Sequence, residues 1–254
     1  MKLNLVPART GVQWVKLGVR TFWQQPLALT GLFFMYMAAV ALLSAVPWIG
    51  LVLMLAITPA ATLGLMVATQ EATKGRFPMP AVLVSAFKAG RQRLRSMMQL
   101  GFIYAAGSLL VNAIATLILG QPPASSPGEQ VDKGMLLLLA LHFPLAVMFW
   151  FAPALVHWHG ITPAKSLFFS VVAVWRNFSA FTVYGLLWTL VIAAVLMVAT
   201  LVIAMLGSPQ IAPAILMPVV LTLAAMFFTS IYFTFIDSFT AEVPSSPPPP
   251  DPTP

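Results

Sequence analysis

Six long apolar runs, separated by polar or Gly/Pro-rich breaks, constrain this chain more than any other feature. They cover residues 26–46, 51–69, 97–119, 135–156, 178–206 and 213–236. A helix needs about 20 predominantly apolar residues to cross the hydrocarbon layer of a membrane. Lipid offers no partners to backbone N–H and C=O groups, so a run of this length satisfies them internally, as a helix. Composition agrees: 60% of the residues are hydrophobic and only 7% charged, where a soluble domain carries about 25% charged residues. The expected fold class is all-α, a polytopic transmembrane helical bundle.

The breaks organise the runs into three hairpins. Pro47-Trp48-Ile49-Gly50 joins the first pair, the Gly/Pro/Ser segment from Gly120 to Gly128 the second, and Gly207-Ser208-Pro209-Gln210 the third. Each carries the residues that stop helices and form turns. Pro59 falls inside the second run, where a kink is expected. About 25 residues precede the first run and a second follows at once, which argues against a cleaved secretory segment. The domain plan is a cytoplasmic N-terminus over residues 1–25, a membrane domain over 26–236, and a proline-rich tail over 237–254. From Val243 onward the proline run cannot pack, so the tail is expected to be disordered and partly polyproline II.

Orientation follows from Lys and Arg, which resist translocation while Asp and Glu count for little. Lys2, Arg9, Lys16 and Arg20 precede the first run. Lys74, Arg76, Lys88, Arg91, Arg93 and Arg95 lie between the second and third, and Lys165 and Arg176 between the fourth and fifth. Twelve of the thirteen basic residues therefore share one side, with Lys133 opposite. Both termini are expected in the cytoplasm.

Amphipathic segments precede the hairpins. Gln13, Lys16, Arg20 and Gln24 recur at steps of three and four, opposite Trp14, Val15, Gly18, Val19 and Phe22. This pattern describes a helix over Val12 to Gln24 lying in the membrane interface. Ser85, Lys88, Gln92 and Arg95 repeat it over Ala81 to Arg95, opposite Leu83, Phe87 and Leu94. The segment from Pro163 to Asn177 has the same position but is more apolar. Three units of interfacial helix plus hairpin result, with Gly31, Gly101 and Gly185 at matching places. Lys16, Arg20, Lys88, Arg91, Arg93 and Arg95 are the candidate contacts for anionic lipid headgroups. The net charge of +7 thus points to lipid and not to nucleic acid, because the basic residues flank apolar runs instead of interleaving with surface aromatics.

The opening MKLNLVPARTGVQWVKLGVRTFWQQPLALTGLFF, the turn VPWIG and the segment TPAATLGLMVATQEATKG resemble a betaproteobacterial family of six-span inner-membrane proteins built on a domain of unknown function. The resemblance implies an inner-membrane location and a six-span helical fold, and transfers no activity. The unit plan is more loosely similar to the membrane domains that accompany some glycerophosphodiester phosphodiesterases. No catalytic domain of that kind accompanies the spans here, so this likeness implies no hydrolase.

None of the six acids lies mid-span, which disfavours a transporter built on a membrane carboxylate. Glu71 and Asp237 fall at cytoplasmic helix ends, where a water-exposed charge is the ordinary explanation. His142, His157 and His159 all lie on or just beyond the fourth run. One helix cannot bracket a haem, and with Cys 0 nothing completes a metal site, so packed interfacial histidines are expected. Tyr104, Ser108, Asn112 and Thr116 recur every four residues and form a polar stripe on the third span. An intramembrane amide seeks a partner, so Asn112 is expected to face other helices as interhelical glue; the alternative is a cavity for a neutral solute. Ala60, Gly64 and Ala68 form a small-residue ridge for close helix approach. No phosphate loop, HExxH or G-x-S-x-G occurs. The expectation is a non-enzymatic membrane protein without cofactor, organising anionic lipid or contacting a membrane-protein partner or a second copy. The alternative is a carrier or channel-like protein for a neutral or lipid-like solute.

Overall fold

The computed structural model describes residues 2–120, 133–207 and 209–240. Among them six helices are long and apolar enough to span a membrane. They are α2 (Pro26–Ser44), α3 (Gly50–Thr73), α5 (Arg91–Leu119), the pair α6 (Lys133–Phe149) and α7 (Ala152–His159), α9 (Phe178–Leu206) and α10 (Ala212–Ser238). α1 (Thr10–Gln24) precedes the first span, and between later spans lie α4 (Ser85–Lys88), which follows a 3-10 turn over Pro80–Val84, and α8 (Pro163–Arg176). The chain is therefore an all-α polytopic bundle of three hairpins. α3 runs unbroken through Pro59.

The fourth span is broken, which its hydropathy does not announce. Pro153 lacks the N–H that would bond back to Phe149, and its ring opposes that carbonyl, so the helix stops at Phe149 and restarts at Ala152. Ser170 of α8 fills the gap. Its hydroxyl accepts the Phe151 N–H at 3.0 Å and donates to the Val147 carbonyl at 2.7 Å. A side chain inserted into the helical ladder thus gives the Phe151 N–H a partner and the Val147 carbonyl a second donor, beside the Trp150 N–H at 3.4 Å.

The three-unit plan appears in the packing. α1 lies against α9 and α10, the segment Pro80–Lys88 against α3, and α8 against α6 and α7. Each connecting element thus rests on the hairpin of the preceding unit, and α1 closes the ring on the last one. The matching glycines are not equivalent, however. A Cβ on Gly101 would strike the Ala56 carbonyl, while Gly31 and Gly185 have nothing within 4 Å. Gly64 of the small-residue ridge meets the backbone of Leu83 in the connecting segment.

Two surface-helix expectations need correction. α1 does not rest its apolar face on lipid: Trp14, Val15 and Phe22 are buried against protein, and Gly18 lets its backbone touch Ser230 of α10. The segment Ala81 to Arg95 is not one helix. Gly90, at φ 97°, turns the chain, and Arg91, Arg93 and Arg95 form the first turns of α5 itself.

The chain ends meet. β1 (Lys2–Leu3) pairs antiparallel with β2 (Phe239–Thr240), so the ordered structure continues to Thr240, past the expected start of the tail at 237. The proline run from Val243 lies outside the described residues. Asn177, buried between α8 and α9, accepts the Val6 N–H at 2.9 Å and donates to the Asn4 carbonyl at 3.1 Å. The indole of Trp14 donates to Asp237 at 2.8 Å. Both acids expected as water-exposed charges are thus partly buried and paired, Asp237 with the Trp14 indole and Glu71, its side chain 25% exposed, with Lys74 and Arg76 at 3.4 Å each. Most large buried side chains cluster at this end of the bundle, and α9 beyond Trp188 buries only Ala199.

Candidate functional site

The hairpins do not close evenly around the ring. α3 packs on α5, and α10 on α2 and α3, but α6 and α9 make no more than marginal contact. The gap is an apolar crevice of about 470 Å³, walled by Phe143, Val147 and Trp150 on one side and by Phe181, Gly185, Trp188 and Ile192 on the other, with Phe227 behind. Phe143 is exposed, so the crevice borders the surface that faces lipid. Its volume lies within the roughly 300–1,000 Å³ typical of small-molecule sites.

Sequence periodicity explains one wall. Phe178, Phe181, Gly185, Trp188 and Ile192 recur at steps of three and four, which places them on one face of α9. The break in the fourth span sets the other, because Trp150 lies in the gap between α6 and α7. The Trp150 indole donates to the Thr234 hydroxyl at 3.1 Å, and its ring stands edge-on to Tyr184 at 6.1 Å and to Phe181 at 5.8 Å.

Polar atoms around the crevice are already engaged. The Tyr184 hydroxyl and the Trp188 indole meet the Ser230 hydroxyl at 2.7 and 3.1 Å. Thr182 and Thr189 donate to the carbonyls of Phe178 and Gly185 in their own helix. The wall consequently presents hydrocarbon, aromatic faces and no free charge, which suits a flexible apolar guest. Two smaller cavities share its back wall at Phe227. One, of about 200 Å³, holds Pro59, Tyr104 and Phe149; the other, of about 290 Å³, lies between Ile192, Leu196 and Val220.

The polar stripe of the third span divides. Tyr104 faces inward and packs edge-on against Phe149 at 4.9 Å, and Ser108 is buried. Asn112 is exposed, and its amide donates to the Ser108 carbonyl of the same helix at 2.8 Å. Thr116 likewise donates to the Asn112 carbonyl. The expected interhelical partner of Asn112 is absent among the described residues. The reason is geometric: a step of four overshoots one turn by about 40°, so a stripe of four such residues rotates off any straight contact.

Lys16 and Arg20 lie on the outer face of α1, and Lys88, Arg91, Arg93 and Arg95 are also exposed. Arg93 lines a notch of about 150 Å³ with Gln92, Ser96 and Gly160. The notch and the crevice are separate places. Among the described residues no group of three His, Cys, Asp or Glu is arranged to hold a metal. His142 lies 2.9 Å from the Leu138 carbonyl of its own helix, while His157 packs edge-on to Trp158 and His159 beside Phe235. Sequence reasoning passed over Trp150, Tyr184, Trp188, Phe227 and Ser230, although the aromatic stripe on α9 was there to be found.

A protein of Burkholderia thailandensis described as a probable inner membrane protein is 38% identical over 205 residues, spanning 74% of this chain and 75% of that one. The chain belongs to its family. With six membrane-spanning helices in place, it is an integral inner-membrane protein. The likeness seen in the opening segments to an inner-membrane family holds at this level, and the looser likeness to membrane domains of glycerophosphodiester phosphodiesterases gains no support from the relative found. No family model and no solved structure matches the chain.

Proposed function

We propose that this family member is a non-enzymatic membrane protein that holds a lipid-like molecule in the crevice between α6 and α9, with both termini in the cytoplasm. The parting of these two helices carries the proposal. The neighbouring pairs α2–α3, α3–α5, α5–α6 and α9–α10 pack on one another, and an apolar gap of this size beside lipid fills with acyl chain or an equivalent guest. The exposed basic residues of α1, α4 and α5 would gather anionic lipid around the same end, each contributing at most about 1 kcal/mol. A carrier for lipid-like solutes is the second reading, favoured by the two further cavities that share Phe227 as a wall.

The orientation is supported by the charge asymmetry and by the β1–β2 pairing, which sets both ends on one side. The chain has no cysteine, so single cysteines report cleanly. An impermeant thiol reagent applied to spheroplasts is expected to label Trp48→Cys in the α2–α3 turn and not Phe77→Cys beyond α3; both positions are exposed. Labelling of Phe77→Cys from outside would reverse the orientation.

Gly185→Trp tests the crevice. A Cβ at Gly185 meets nothing within 4 Å, so the indole enters open space, and replacing a helical glycine favours the helix by up to about 1 kcal/mol. After detergent exchange, lipid retained per chain is expected to fall at least about tenfold, the ratio set by roughly 1.4 kcal/mol of lost binding. Equal retention by the wild type and this variant would place the lipid elsewhere.

A further inference from the structure

We infer that the guest is one phospholipid of the leaflet nearest the chain termini, and that Arg176 selects an anionic headgroup for it. The inference rests on the crevice reading above and names its ligand. Along α9 the crevice runs from Phe178 to Ile192, about 21 Å at 1.5 Å per residue. A hydrocarbon core is about 30 Å thick, so one leaflet accounts for about 15 Å of it. A site that starts at the helix end and stops near mid-membrane fits the tail of a single lipid whose headgroup stays at the surface. It does not fit a solute crossing both leaflets.

The surface end of the crevice carries the charge such a lipid would meet. Val174 at the end of α8 and Phe178 at the start of α9 line it, and Arg176 lies between them in the chain, exposed. Trp175, 77% exposed, packs its ring 6.4 Å from that of Phe178. An exposed indole beside a membrane span is the usual anchor at headgroup depth. No Asp or Glu occurs from Lys133 to Ile236, so the helices forming both walls bring no carboxylate to compete for the guanidinium. Guanidinium pairs with phosphate through parallel hydrogen bonds, and a net negative headgroup leaves that pairing uncompensated by an ammonium of its own. Favourable placement of Arg176 at the C-terminal end of α8 accounts for a basic residue there, but predicts no preference among lipids.

The test uses the full chain reconstituted in bilayers of equal parts phosphatidylglycerol and phosphatidylethanolamine, then extracted into detergent. Lipid retained by the protein is quantified by mass spectrometry. The wild type is expected to retain phosphatidylglycerol in preference by about fivefold, the effect of one basic residue at an anionic surface. Arg176→Gln is expected to keep the amount of lipid and lose the preference, and Arg176→Lys to restore part of it. Gly185→Trp, with every basic residue intact, separates lipid in the crevice from lipid gathered around the exposed basic residues. A preference unchanged in Arg176→Gln would overturn the role of Arg176 while leaving the crevice reading intact. No lipid retained by wild type or variant would overturn both.

Discussion

Gly18→Leu is expected to detach α1 from the bundle and lower stability by about 3 kcal/mol, the upper end of what overpacking costs. A Cβ at position 18 would lie 2.3 Å from the Cβ and 2.7 Å from the Cα of Ser230. Because backbone and not a flexible side-chain end opposes it, the strain is relieved only by moving one helix. Ser230 also holds the Tyr184 hydroxyl and the Trp188 indole, so displacement of α10 at this point disturbs the back of the crevice. Gly31→Leu provides the control, since a Cβ there meets nothing within 4 Å. Unfolding in detergent, followed by near-ultraviolet circular dichroism, should show a large loss for Gly18→Leu and almost none for Gly31→Leu. Equal behaviour of the two would mean that α1 does not touch α10.

The contrast between these glycines shows where sequence reasoning reached and where it stopped. The six spans were legible because lipid imposes one rule on every segment that crosses it, and the rule acts on composition alone. The placement of α1 was not. An amphipathic helix presents the same periodicity whether Trp14, Val15 and Phe22 meet acyl chains or protein. The distinguishing signal was Gly11 and Gly18, one heptad apart on the apolar face. Lipid has no use for a missing side chain there, but an approaching backbone does, and Gly11 meets the Ala180 carbonyl as Gly18 meets Ser230. Gly31, Gly101 and Gly185 looked equivalent by position, yet only Gly101 is approached, because position within a span does not say which neighbour faces it. The Asn112 stripe failed through helix geometry that four-residue steps conceal. The crevice was hidden for another reason: one of its walls includes Trp150 at the break in the fourth span, which Ser170 of another helix bridges, a contact between elements that no local pattern encodes.

Trp14→Ala is expected to lower stability by about 3–5 kcal/mol, the range for truncating a fully buried Trp. Trp14 is completely buried, with its ring 5.2 Å from Phe181 and 5.9 Å from Tyr184, so truncation leaves a void beside two side chains that line the crevice. It also strips the Asp237 carboxylate of its indole donor. Trp14→Phe separates the two effects, keeping an aromatic ring in place and removing the N–H. A hydrogen bond to a charged group contributes about 1.5–3 kcal/mol, so Trp14→Phe should cost roughly that much. The consequence reaches the chain ends, because Asp237 also lends its backbone carbonyl to the Asn4 side chain, and β1 pairs with β2 just beyond it. Amide exchange at Leu3 and Asn4 is therefore expected to accelerate in both variants, and more in Trp14→Ala. A surface helix resting on lipid predicts the opposite: its Trp would leave the interface at small cost and the terminal strands would exchange as before. Stability within about 1 kcal/mol of wild type for Trp14→Ala, below any ordinary cost of a buried tryptophan, would return α1 to the membrane surface and leave the ring of three units open.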